Sequence, residues 1–234
     1  IQHESGMMSC CLVGNYELAH ELSCECESNR DSVYRFAYTV ACLSMINNDY
    51  SPLKEYSGSN VPFGDCLYTV FESYVAARIA GSIVCIEKES HFDVTVVRLH
   101  QLINLLRTET LELVKHNNFS VFLKNTSDAM IFFLRNAAAF LGHAHAGNNE
   151  DAKKIKLLLT EMKAVGLGKW FFCFEDDLIR VFKNLVDTGQ MIGLEVISMH
   201  FQRLLASEGL FLTKHGDEYA CCLLPKDAFD FHNQ

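Results

Sequence analysis

Apolar residues recur at three- and four-residue spacing along nearly the whole chain, the mark of amphipathic helices packed on one another. Only three prolines interrupt the 234 residues. The spacing predicts a first helix over Met7–Cys26, with Leu18, Ala19 and Leu22 facing inward. Asp31 stands as the N-cap of a second, whose Val33, Phe36, Ala37, Val40, Ala41 and Ser44 form one buried stripe. That helix ends at Asn47-Asn48, ahead of Pro52, and residues 50–62 lack periodicity and read as an exposed loop. A third helix, Gly64–Ile86, carries Leu67, Val70, Phe71, Tyr74, Val75 and Ile79; its Ala77 and Gly81 leave room for another helix to come close. A fourth covers Asp93–Lys115, with Val97, Leu102, Ile103, Leu106, Leu113 and Val114, and breaks at His116-Asn117-Asn118.

Beyond the break, a short helical piece Phe119–Lys124 precedes Ser127-Asp128, read as the cap of a helix Ala129–Leu141. That helix is apolar on nearly every side, which places it at the centre of the core. Gly142–Asn149 reads as a loop, and Ala152–Val165 as a helix ended by Gly166 in a left-handed conformation. Glu175-Asp176-Asp177 reads as the acidic start of the next helix, where negative charge favours the dipole, and Leu178, Ile179, Val181, Phe182, Leu185 and Val186 are expected to bury inward along it. A last helix, Leu194–Ser207, ends at Gly209. The period then changes, and Leu210–Thr213 and Glu218–Leu224 read as two short strands around Lys214-His215-Gly216-Asp217. The expected fold class is mainly all-α: an irregular stack of eight to nine helices, in the manner of a degenerate armadillo or HEAT array although no fixed residue period recurs, closed by a helix and a β-hairpin. The expected division is residues 1–169 as the helical stack and 170–234 as a C-terminal subdomain packed on it, or a single domain holding both.

The order helix, Gly209, strand, glycine turn, strand resembles the recognition helix and wing of a winged-helix module. The resemblance covers about 35 residues (Gln190 to Pro225) and is one of pattern alone. It implies contact with nucleic acid only if the charge agrees, and it does not. Arg203 and Lys214 stand against Glu195, Glu208, Asp217 and Glu218 in that stretch, a poor surface for phosphates. A packing cap or a protein contact fits better.

Composition narrows the classes further. Hydrophobic residues make up 49% of the chain and charged residues 21%, somewhat below the roughly 25% of ordinary soluble domains. No uninterrupted apolar stretch reaches the ~18 residues of a membrane span; Val75–Ile86 is too short and contains Arg78. No membrane partner is expected. A net charge of −9 disfavours nucleic acid as a partner, since affinity for it rests on lysine and arginine at phosphates. Ten cysteines raise the question of disulfides, but Cys42, Cys66, Cys85 and Cys173 fall in apolar helical segments, where a free thiol acts as a small hydrophobe. The expected address is intracellular, cytoplasmic or nuclear. The sequons at Asn118 and Asn125 argue the other way with less weight, because such triplets arise often by chance. Beginning at Ile1, the chain reads as a piece of a larger protein.

The candidate chemistry is thin. His143 and His145 supply half of a zinc site, Cys24 and Cys26 have the wrong spacing, and the adjacent pairs Cys10-Cys11 and Cys221-Cys222 do not suit one ion. Gly166-Leu-Gly168-Lys169 lacks the earlier glycine and the hydroxyl residue of a phosphate loop, with Trp170 in that place. There is no GxSxG elbow, and Glu175, Asp176 and Asp177 are consecutive rather than convergent. No metal, no cofactor and no catalytic residue is expected. One cluster suggests binding: Trp170, Phe171, Phe172 and Phe174 crowd four aromatic rings into five residues, and on a helix they cannot all face one core. At least one of them is expected to face a partner. The reading that follows is a non-catalytic helical scaffold or adaptor that binds another protein or a peptide segment, or pairs with its own copy. The alternatives are a nucleic-acid adaptor using the C-terminal unit and, third, an enzyme with an unrecognised cleft.

Overall fold

The computed structural model describes residues 2–4, 7–9, 28–47, 64–83, 90–147, 149–215 and 218–224. Among them the chain forms seven helices: α1 (Ser28–Asn47), α2 (Gly64–Ile83), α3 (Ser90–His116), α4 (Phe119–Ala144), α5 (Asn149–Ala164), α6 (Gly168–Thr188) and α7 (Val196–Ala206). Two antiparallel hairpins flank them, β1 (Gln2–Glu4) with β2 (Met7–Ser9), and β3 (Leu210–His215) with β4 (Glu218–Leu223). The protein is therefore mostly helical. No helix among the described residues is long and apolar enough to cross a membrane.

α4 is the central helix, as its all-round apolar surface implies, and touches α2, α3, α5 and α6. Phe122, Met130, Phe133, Leu134, Ala137, Ala138 and Leu141 are all buried along it. Its tightest partner is α2. Ala76, Ala77 and Ala80 are fully buried there, and a side chain at Gly142 would start 2.2 Å from the Tyr74 carbonyl oxygen. Small residues on both helices thus let the backbones touch, in line with the room expected at Ala77 and Gly81. One continuous group of buried side chains runs from Leu67 to Leu210 and includes Phe71, Phe133, Phe171, Phe174 and Phe201.

Turn chemistry sets the connections. Asp93 in the first turn of α3 and Lys115 and His116 in its last complement the helix dipole. Asn117 then adopts φ 48°, a left-handed conformation that asparagine tolerates, and Asn118 caps α4 by accepting from the Val121 amide at 3.2 Å. α5 ends as expected at Gly166, φ 82°, with the Leu167 amide donating to the Met162 carbonyl at 2.7 Å. Gly209, φ 81°, turns α7 into β3, and the returning strand lies against it, the Leu224 amide donating to its carbonyl at 2.9 Å.

Several local expectations need correction. Met7–Ser9 pairs with Gln2–Glu4 as a strand and does not open a helix. The rest of that expected helix, the loop over 50–62 and the cysteines at 10, 11, 24, 26 and 85 lie outside the described residues. On α1 the buried stripe is Ser32, Tyr34, Ala37 and Ala41, while Phe36 and Val40 point outward. Alanine at 37 and 41 lets α1 come close to α2, which the bulkier pair would prevent. Phe119–Ala144 is one helix with no break at Ser127, whose hydroxyl donates back to the Leu123 carbonyl within it. Gly142 and His143 belong to the buried end of that helix rather than to a loop. Glu175-Asp176-Asp177 lies in the interior of α6, because the helix begins at Gly168 and the aromatic cluster fills its first turns. Of the residues expected to bury inward after it, Leu178 and Val181 do, but Ile179 and Val186 fall on the opposite side of the helix and are exposed.

Candidate functional site

α6 decides the fate of the aromatic cluster. Trp170, Phe171 and Phe174 are buried, so three of the four candidate binding rings belong to the core. Phe172 is 49% exposed. The indole of Trp170 stacks on Phe174 with centroids 5.1 Å apart and tilts against Phe133 at 5.7 Å. His200 of α7 meets both Trp170 and Phe174 edge-on, and the indole N–H donates to the His200 carbonyl at 3.2 Å. Trp170 therefore joins α6 to α7 and α4 rather than to a partner.

Two buried histidine contacts were invisible in the spacing of the sequence. His200 Nε2 lies 2.9 Å from Asp177 Oδ2, and Arg180 approaches the other oxygen of Asp177 at 2.6 Å. Burial pushes the His200 imidazole down to about 4; the bond to Asp177 opposes this and the nearby Arg203 charge adds to it. The ring is neutral at pH 7, and its Nε2–H donates to the carboxylate. Among the described residues its Nδ1 meets no hydrogen-bond partner, since the aromatic walls surround it.

His145, just past the end of α4, ties three helices together. Its Nε2 lies 2.9 Å from Glu175 Oε1 on α6, and its Nδ1 lies 3.0 Å from the Tyr74 hydroxyl on α2. Arg78 Nη1 donates to that hydroxyl oxygen at 2.7 Å, and its guanidinium lies 4.3 Å from the centre of the Phe182 ring. The ring of His145 is thus held between the Tyr74 hydroxyl on Nδ1 and the Glu175 carboxylate on Nε2. A carboxylate, an imidazole and a hydroxyl in series can in principle activate a nucleophile. Here Tyr74 is fully buried, burial raises its phenol above the usual range, and the chain of bonds ties α2, α4 and α6 together. His143, two residues earlier, is buried facing the other way, edge-on to Tyr34 of α1. The two histidines thus do not converge. No group of three ligands able to hold a metal ion exists among the described residues.

Two further polar clusters lie elsewhere in the described residues. Cys42 of α1 faces Glu72 of α2; burial, then the charge and hydrogen bond of Glu72, push the thiol up to about 12. Such a thiol stays protonated and is a poor nucleophile at neutral pH. Burial also raises Glu72, with Cys42 and Arg135 holding it back. At the turn from α3 to α4, a hollow of about 210 Å³ is rimmed by Glu109, Glu112, His116, Asn118 and Asn125. The amide of Asn125 donates to Glu109 at 2.8 Å, and Lys115 bonds Glu112 at 2.6 Å. Both expected sequons border this hollow.

What stands out is the outward side of α6. Phe172, Ile179 and Val186, 49%, 38% and 66% exposed, recur every seven residues, and the exposed Asp176 and Lys183 run beside them. Seven-residue spacing keeps these five on one face over about 21 Å. No protein-family model, no curated protein and no solved structure matches the chain.

Proposed function

We propose that this chain is a non-catalytic helical scaffold or adaptor domain that binds another protein or a peptide segment within a larger intracellular assembly. The observation that carries the reading is the apolar row Phe172, Ile179 and Val186 on the solvent side of α6. Scattered exposed apolar residues are ordinary, but three in register on one long helix form a surface that another helix can cover. The armadillo- or HEAT-like description belongs to this proposal, supported by the contacts of α1 with α2, α3 with α4, and α5 with α6. So does the winged-helix-like description of α7 with its hairpin, supported by their order and by the register from Leu210–Leu223 to His215–Glu218. The free thiols of Cys42, Cys66, Cys173, Cys221 and Cys222 support the intracellular address.

The test compares proteins retained from cell extract by the wild-type chain and by Phe172→Lys, with melting curves alongside. The expected result is a set of proteins held by the wild type and lost by the variant, with both melting alike. Identical retention would remove the α6 face from the proposal. A DNA mobility shift that weakens steeply with salt would favour the nucleic-acid alternative instead.

A further inference from the structure

We propose that the outward face of α6 is a seam between two copies of this chain, packed antiparallel about a two-fold axis near Ile179. This rests on the protein-binding reading above and names the partner. The argument is the symmetry of the row itself. Phe172 and Val186 lie seven residues either side of Ile179, so reversing the helix lays each over the other. The charges beside them reverse as well: Asp176 stands toward the N-terminal end and Lys183 toward the C-terminal end, both exposed. When two such helices run in opposite directions, Asp176 of each copy comes alongside Lys183 of the other. A parallel arrangement would put the two copies' charges on opposite flanks of the seam and offer no such pairing. A two-fold interface needs one patch complementary to itself, and this one is.

The shortness of the row sets the strength. Exposed ion pairs add little affinity and mainly fix orientation. Three apolar positions over about 21 Å form a contact at the low end of specific interfaces, so pairing depends on concentration. Phe172 supplies the one aromatic anchor, and Ile179 meets its own copy at the axis.

Sedimentation velocity over a wide concentration range tests the seam with the whole chain. The wild type is expected to rise from 26.5 kDa toward twice that mass. Asp176→Lys alone and Lys183→Asp alone each set like charges together twice, and each should weaken pairing about tenfold. An equimolar mixture of those two variants restores both opposite-charge contacts and should pair as tightly as the wild type. Ile179→Arg, which faces itself across the axis, should leave a monomer whose helical circular dichroism is unchanged. A wild type that stays at 26.5 kDa throughout overturns the seam, while the broader reading still stands or falls by the retention experiment. Wild-type pairing indifferent to Ile179→Arg and to both charge variants also overturns it, because the copies then meet elsewhere.

Discussion

His145 and Glu175 are 30 residues apart in sequence and 2.9 Å apart in space, and their contact fastens the end of α4 to the middle of α6. Glu175 faces Nε2 of the ring, while Tyr74, held by Arg78, occupies Nδ1. Glu175→Ala removes the acceptor from a largely buried donor and is expected to cost about 1–3 kcal/mol of unfolding free energy. Glu175→Gln keeps an acceptor oxygen and should lose less. Urea unfolding of the three proteins checks the order.

Gly142 touches the backbone of α2, and Gly142→Ala would drive a methyl group into the Tyr74 carbonyl. Because the obstacle is backbone, the helices must separate, and the loss should reach about 1–3 kcal/mol or more. Gly147 faces open space at φ 106°, so Gly147→Ala meets only the strain of its conformation and should cost about 1 kcal/mol. Calorimetry on the pair separates crowding from conformational strain.

Trp170 and Phe172 are neighbours with opposite roles. Trp170→Ala empties a site packed by Phe133, Phe174 and His200, and is expected to cost about 3–5 kcal/mol. Phe172→Ala trims a half-exposed ring and should shift stability by about 0.5 kcal/mol or less. Equal losses in chemical denaturation would return Phe172 to the core.

His200 makes stability depend on pH. Its imidazole titrates near 4 in the folded chain and near 6.5 when unfolded. The unfolded form therefore binds more protons between those values, so the contribution is complete above about pH 6.5 and is lost as pH falls toward 4. The full loss is on the order of 3 kcal/mol. His200→Gln has no such group and should show a flatter unfolding free energy over that window, measured by urea titration at successive pH values.

Much of the architecture can be read from periodicity alone. The all-round apolar surface of Ala129–Leu141 places that helix at the centre, and the change of period after Gly209 announces the hairpin. Glycines at 166 and 209 mark chain reversals because few other residues adopt their conformations. Periodicity misleads where chemistry is shared between alternatives. Ser127-Asp128 has the composition of a cap but lies inside α4, where the Ser127 hydroxyl bonds its own helix. Glu175-Asp176-Asp177 has the composition of a helix start, yet Leu167 opens α6 with no side-chain cap at all. Glu175 and Asp177 instead serve His145, His200 and Arg180. The two histidine contacts carry no local signal, since each joins side chains brought together only by packing of distant helices, whereas Arg180 lies three residues from Asp177 on the same helix. Phe172 is legible only in part: the crowding of four rings implies that one must turn outward, but which one depends on the helical phase set at Gly168.

The meeting of α2 with α4 through Gly142, Gly81 and the alanines between them leaves no slack for sliding or rotation. Such a junction is expected to behave as one strut, with any breathing of the molecule pivoting at its ends. Backbone amides along that junction should be the last to exchange with deuterated solvent.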